Sequence, residues 1–118
     1  MSLSILDLEA IENLRALSPG DGDVFLKEIL TIFIEDTPAR IVDLHNSRAS
    51  VDIPGFVRAA HSIKGSSSNV GATELRAIAE HLEHQARTNG LAQVEVQVAE
   101  LEAAFLRVDA ELKKLIGG

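Results

Sequence analysis

The chain has 118 residues, 46% of them hydrophobic, enough for one domain with a real core and too few for two. A net charge of −7 repels a nucleic-acid backbone, so no DNA or RNA partner is expected, and the lack of cysteine excludes disulfides, thiolate zinc sites and a thiol nucleophile. Aromatic residues make up 3% while Leu, Ile, Val and Ala dominate, which suits helices packed on helices.

The first residues, M-S-L-S-I-L-D-L-E, place no basic segment ahead of an apolar run, so no secretory signal is expected. From Asp7 to about Leu17, the spacing of Leu8, Ile11, Leu14 and Leu17 predicts a short helix, stopped by Ser18-Pro19-Gly20. Asp23 is a candidate N-cap for a long second helix. Its period runs through Val24, Phe25, Ile29, Ile32 and Phe33 to Ile41 and Leu44, across Pro38. No glycine or loop cluster accompanies Pro38, so a kinked single helix is expected rather than two. The apolar run from Ile29 to Ile34 is broken by Thr31 and far shorter than the ~20 residues a membrane span requires. No membrane association is expected, and a cytoplasmic location is.

Ser47 to Asp52 reads as a linker in which Asp52 caps the next helix and Pro54 occupies its first turn, where a missing N–H costs little. That helix should fade near Ser68 or Asn69, with Gly71 opening a fourth whose core stripe is Leu75, Ile78, Ala79, Leu82 and Ala86. Gly90 is a reasonable stop for it. A last helix from about Ala92 to Leu115 buries Val94, Val98, Leu101, Phe105, Val108, Leu112 and Leu115. Four long amphipathic helices with short connections predict an all-α fold, an antiparallel four-helix bundle with a short extra N-terminal helix, in a single domain over residues 1–118.

The third helix carries the chemistry. Residues three, four and seven apart share a helical face, so Val57, His61, Lys64, Gly65 and Ser68 form one stripe, and Ile53, Phe56, Ala60, Ile63 and Ser67 form the opposite, mostly apolar one. The histidine therefore points away from the core. A neutral imidazole is a good nucleophile near pH 7 and can carry a phosphoryl group on its outer nitrogen. Lys64, one turn on, can offset the charge that arrives with phosphate, and Gly65, four residues past His61, leaves the ring uncovered. Mid-helix glycine costs about 0.5–1 kcal/mol relative to alanine, so a compensating use is expected. On spacing alone, a surface histidine beside a surface lysine at the end of a helix explains the stretch equally well.

The wording A-A-H-S-I-K-G-S-S-S-N-V-G-A closely resembles the signature of histidine-containing phosphotransfer (HPt) domains, H-x-x-K-G-S-[SA]-x-x-[LIV]-G. Ile63 stands where that family usually has leucine, a volume-conserving exchange. Leu82 to Gly90, L-E-H-Q-A-R-T-N-G, is similar to the family's L-E-x-x-A-R-x-G on the next helix. The resemblance implies that His61 is the phosphoacceptor, with Lys64 and Gly65 beside it and Ser68 supporting.

A second polar stripe, Arg76, Glu80, Glu83 and Arg87, reads as two i,i+4 ion pairs on an exposed helix. It also allows Glu83 to accept a hydrogen bond from the inner ring nitrogen of His61 and fix the tautomer, a reading the resemblance favours. Arg87 would then approach the phosphate or the partner. His81 and His84 lie near Glu80 and Glu83, but no glutamate or aspartate stands three residues before any histidine, so the di-iron pattern of helical bundles fails on spacing. No metal site is expected, and His45 reads as a solitary histidine near a helix end.

The resemblance implies a phosphorelay intermediate that carries a phosphoryl group between aspartates of response-regulator receiver domains. A hybrid sensor histidine kinase is a further partner, and the carrier has no kinase or phosphatase activity of its own. No cofactor is expected, Mg²⁺ coming from the receiver. Receivers would dock around His61 on apolar residues that include Val57, and a monomer is expected. The alternative is a helical adaptor in which His61 is not phosphorylated.

Overall fold

The computed structural model describes residues 4–117, so Met1 to Leu3, on which the secretory-signal expectation partly rests, and Gly118 lie outside it. Five helices follow in order: α1 (Leu8–Ala16), α2 (Val24–Ala49), α3 (Ile53–Asn69), α4 (Thr73–Asn89) and α5 (Glu95–Gly117), with no strand among the described residues. Neighbours in sequence are neighbours in space, α2 on α3, α3 on α4, α4 on α5, and α5 closes back on α2. This is the four-helix bundle that the periodicity predicts, with α1 against α2.

The core is a column of aliphatic side chains. Leu30, Leu44, Phe56, Ile63, Leu75, Leu82, Leu101 and Leu112 are all fully buried, and Phe33 packs on Phe105 with ring centroids 6.1 Å apart. Helix α2 runs unbroken across Pro38, and the Thr37 hydroxyl one residue earlier donates to the Phe33 carbonyl at 2.7 Å. The buried stripe of α2 differs from the expected one. Leu26 and Leu30 face the core, whereas Val24 and Ile32 are 55% and 61% exposed. Apolar residues sit on both faces of this helix, so spacing alone does not say which face is covered. Leu8, Leu17 and Ile53 are likewise exposed rather than buried.

The connections also correct the reading at several points. Asp23 precedes α2 but makes no capping bond, because its carboxylate receives Arg15 at 2.9 Å; Asp21 accepts from the Phe25 N–H instead, at 3.1 Å. Ser47 to Ala49 are helical, not linker, and the turn is confined to Ser50–Asp52, where Asp52 caps α3 by accepting from Gly55 N at 3.0 Å. Gly71 does not open α4 but sits in the turn before it, with φ +72°. A Cβ there would come within 2.8 Å of Ala10 Cβ and of the Asp7 carbonyl, so only glycine lets α1 seat on the α3–α4 turn, where Asp7 N donates to the Gly71 carbonyl at 2.7 Å. Helix α5 begins at Glu95, three residues later than expected, and His45 is not solitary: its Nε2 lies 2.5 Å from Glu102 and ties α2 to α5.

Candidate functional site

Helix α3 presents His61 outward with its side chain 62% exposed, while Phe56, Ala60, Ile63 and Ser67 on the opposite face are buried. Helix α4 crosses beside it and brings Glu83 under the ring. Nδ1 of His61 lies 3.1 Å from Oε2 and 3.3 Å from Oε1 of Glu83. With a carboxylate accepting at Nδ1, the proton sits on that nitrogen and the lone pair on Nε2. Nε2 has no partner among the described residues.

Glu83 is nearly buried, its side chain 8% exposed, and three donors converge on it. Besides His61, Lys64 Nζ lies 2.9 Å from Oε1 and Arg87 Nη2 lies 2.8 Å from Oε2. Burial pushes the carboxyl up, but the hydrogen bonds from Lys64, Arg87 and His61 outweigh it and hold the group below the ordinary carboxylate range. Glu83 is thus ionised at neutral pH, and with two cations on one carboxylate the cluster carries net positive charge beside the ring.

The residues singled out in the sequence fall into place unevenly. Glu83 and His61 are brought together as the resemblance implied, and Arg76 and Glu80 form the ordinary i,i+4 pair at 3.4 Å. Lys64, expected to face phosphate, is turned to Glu83, and Arg87, read either as the i,i+4 partner of Glu83 or as approaching the phosphate or the partner, makes the i,i+4 pair. Gly65 opens on free space, where an added Cβ would meet nothing within 4 Å. Packing inside the domain therefore gives no reason for a glycine in mid-helix. Ser68 is exposed on the His61 stripe, and Val57 is half-buried against the core edge. His81 and His84 are exposed, and no group of three His, Asp or Glu among the described residues could hold a metal ion.

Ile32 was not foreseen as a surface residue. It lines a recess of about 190 Å³ between α2 and α3 with Ile29, Phe33, Ser66 and Asn69, on the flank of Gly65. The signal for it was the surplus of apolar residues on α2, more than one buried stripe can hold.

A sequence profile of the Hpt domain matches residues 28–115. The chain belongs to the Hpt domain family. Among solved structures it is similar to histidine-containing phosphotransfer protein B from Pseudomonas aeruginosa PAO1, at 27% identity over 98% of this chain and 97% of that one, with a TM-score of 0.88. The Hpt domain of a sensor hybrid histidine kinase from Shewanella shares the fold at 14% identity, covering 96% and 94% of the two chains with a TM-score of 0.76. No curated protein sequence gives a match. As an Hpt domain, this protein is a histidine phosphotransfer carrier of two-component phosphorelays, where its partners are receiver domains and histidine kinases. None of its described helices is long and apolar enough to cross a membrane.

Proposed function

We propose that His61 is the phosphoacceptor and that Nε2 is the attacking atom. The observation that carries this is the pairing of an exposed ring with a nearly buried carboxylate on its inner nitrogen alone. The Nε2 lone pair attacks the phosphorus of a receiver's phosphoaspartate, the N–P bond forms as the acyl P–O bond breaks, and the aspartate carboxylate leaves with the electron pair. The ring that donated its lone pair now holds positive charge with its proton still on Nδ1, and Glu83 at 3.1 Å stabilises it. Reversal delivers the group to a second receiver.

In this reading Gly65 keeps the approach to Nε2 open, and Lys64 and Arg87 set the charge of the cluster while holding Glu83 in place. The receiver supplies Mg²⁺ and docks over Gly65, with the exposed Ile32 on one side and Val57 on the other, and Ser68 at the margin. The carrier works as a cytoplasmic monomer without kinase or phosphatase activity of its own.

Incubation with an acetyl-phosphate-charged receiver, followed by a phosphohistidine assay, tests the assignment. The parent should be labelled and a folded His61→Gln variant should not. Equal labelling of the two would move the site elsewhere, and no labelling of either would favour the adaptor reading.

A further inference from the structure

Positive charge on the bundle surface is almost fully spoken for. Of the seven arginines, six are paired with carboxylates: Arg15 with Asp23, Arg40 with Asp43, Arg48 with Glu95, Arg76 with Glu80, Arg87 with Glu83 and Arg107 with Glu74. Arg58 has no ion pair among the described residues, in a chain whose net charge is −7. An exposed arginine without a partner in an acidic protein stands out by its position, because Arg58 is one turn before His61 on α3.

Three residues of helix separate the two by about 60° around the axis and about 4.5 Å along it. Helical side chains lean toward the N-terminus, so the His61 ring lies over the turn that carries Arg58. Glu83 holds the ring from the α4 side, and Lys64 and Arg87 are bound to that carboxylate. Arg58 lies on the other side, toward α2, where it lines a polar cleft of about 300 Å³ with Ser62, Ser47 and Arg40. The carboxylates there are engaged elsewhere, Asp43 by Arg40 and Asp52 by the α3 cap. A phosphoryl group on Nε2 therefore arrives between cations already committed to Glu83 and one that is free.

Resting on the assignment of His61 as phosphoacceptor, we propose that Arg58 is the cation that meets the phosphoryl group carried on Nε2. Its planar guanidinium gives two parallel N–H donors to phosphoryl oxygens, a match an ammonium does not make. Lys64 and Arg87 keep their hold on Glu83 through the cycle, and Arg58 supplies the contact to phosphate.

The test loads the parent, Arg58→Ala and Arg58→Lys with phosphoramidate as a small-molecule donor and follows the phosphohistidine by phosphorus NMR against pH. Loss of the cation should raise the midpoint of the phosphoryl group's second ionisation by about half a unit in Arg58→Ala, the scale of one exposed charge pair, and Arg58→Lys, which keeps the charge but not the paired donors, should restore part of it. A midpoint in Arg58→Ala equal to the parent's overturns the inference, including the case where that variant only needs more receiver for half-maximal transfer, which would assign Arg58 to the partner. A parent that takes no phosphoryl group overturns the reading of His61 itself, so the two failures are distinct. Circular dichroism confirms that the surface variants keep the parent's helicity.

Discussion

The ammonium of Lys64 lies 2.9 Å from Oε1 of Glu83, so the motif lysine is bound to the carboxylate that also holds the histidine ring. In the sequence these residues have separate tasks, Lys64 on α3 turned to phosphate and Glu83 on α4, by the resemblance, to the imidazole. The shared carboxylate makes them one unit. Removing Lys64 takes a charge-assisted bond from Glu83 and leaves the carboxylate to Arg87 and His61, which changes the field at the ring as well as at the phosphoryl group.

A double-mutant cycle reads this coupling. Lys64→Ala and Glu83→Gln should each slow transfer from a receiver by about tenfold, the scale of about 1.4 kcal/mol, and the double variant should lose less than the product of the two. Nitrogen NMR of the His61 ring should show the tautomer ratio moving in Lys64→Ala too. Strict additivity, with a tautomer ratio untouched by Lys64→Ala, would return the two residues to independent roles.

Acid stability should carry the signature of Glu83. Its folded carboxyl titrates below the ordinary value of 4.5 because the bonds from Lys64, Arg87 and His61 outweigh burial. The unfolded chain therefore binds more protons through that window, and stability rises with pH across it. The contribution is present above 4.5 and is lost as pH falls through the lower folded value. Urea unfolding of the parent and of Glu83→Gln should show the parent's advantage shrinking over that acid range. An advantage independent of pH there would mean that the three donors do not stabilise the ionised form.

Ile32 tests the proposed docking surface. It is 61% exposed and lines the recess beside Gly65 with Ser66 and Asn69. Ile32→Glu should leave the melting temperature close to the parent's, because an exposed side chain buries little on folding. It should raise the receiver concentration needed for half-maximal transfer about tenfold by placing a charge in an apolar contact. An unchanged half-saturation would remove this face of α2 from the interface.

How much of this was legible in the sequence depended on whether one helix held all the information. Helix α3 was, because Asp52, Pro54 and the apolar stripe Phe56, Ala60 and Ile63 fix its start and inward face locally. Helix α2 was not: Val24 and Ile32 keep a helical period as well as Leu26 and Leu30 do, and only packing on α3 and α5 decides which set is covered. Glu83 shows the same limit at the site. Its i,i+4 partner Arg87 is complete as a surface ion pair on α4, and nothing along that helix says that Lys64 of α3 binds the same carboxylate. The turn at Gly71 likewise depends on α1, 61 residues earlier at Ala10, whose Cβ sets the space available.

Gly65 is where stability and transfer should part. A Cβ at this position meets nothing within 4 Å, so the fold gains no packing from its absence and bears the conformational cost of a glycine in mid-helix. Gly65→Ala should therefore stabilise the bundle by about 0.5–1 kcal/mol, and Gly65→Gln, also a good helix former, by nearly as much. The two should separate in transfer. Alanine adds one methyl on the open side, whereas glutamine four residues past His61 leans back along the helix toward the ring and stands in the approach to Nε2. Transfer from a receiver should fall modestly in Gly65→Ala and by tenfold or more in Gly65→Gln, on the scale of about 1.4 kcal/mol per decade. Tautomer and ring position should stay as in the parent, because Glu83 approaches from the α4 side. Thermal unfolding and single-turnover transfer on the same preparations decide it: a Gly65→Gln variant with a raised melting temperature and the parent's transfer rate would show that the open space above His61 is not used.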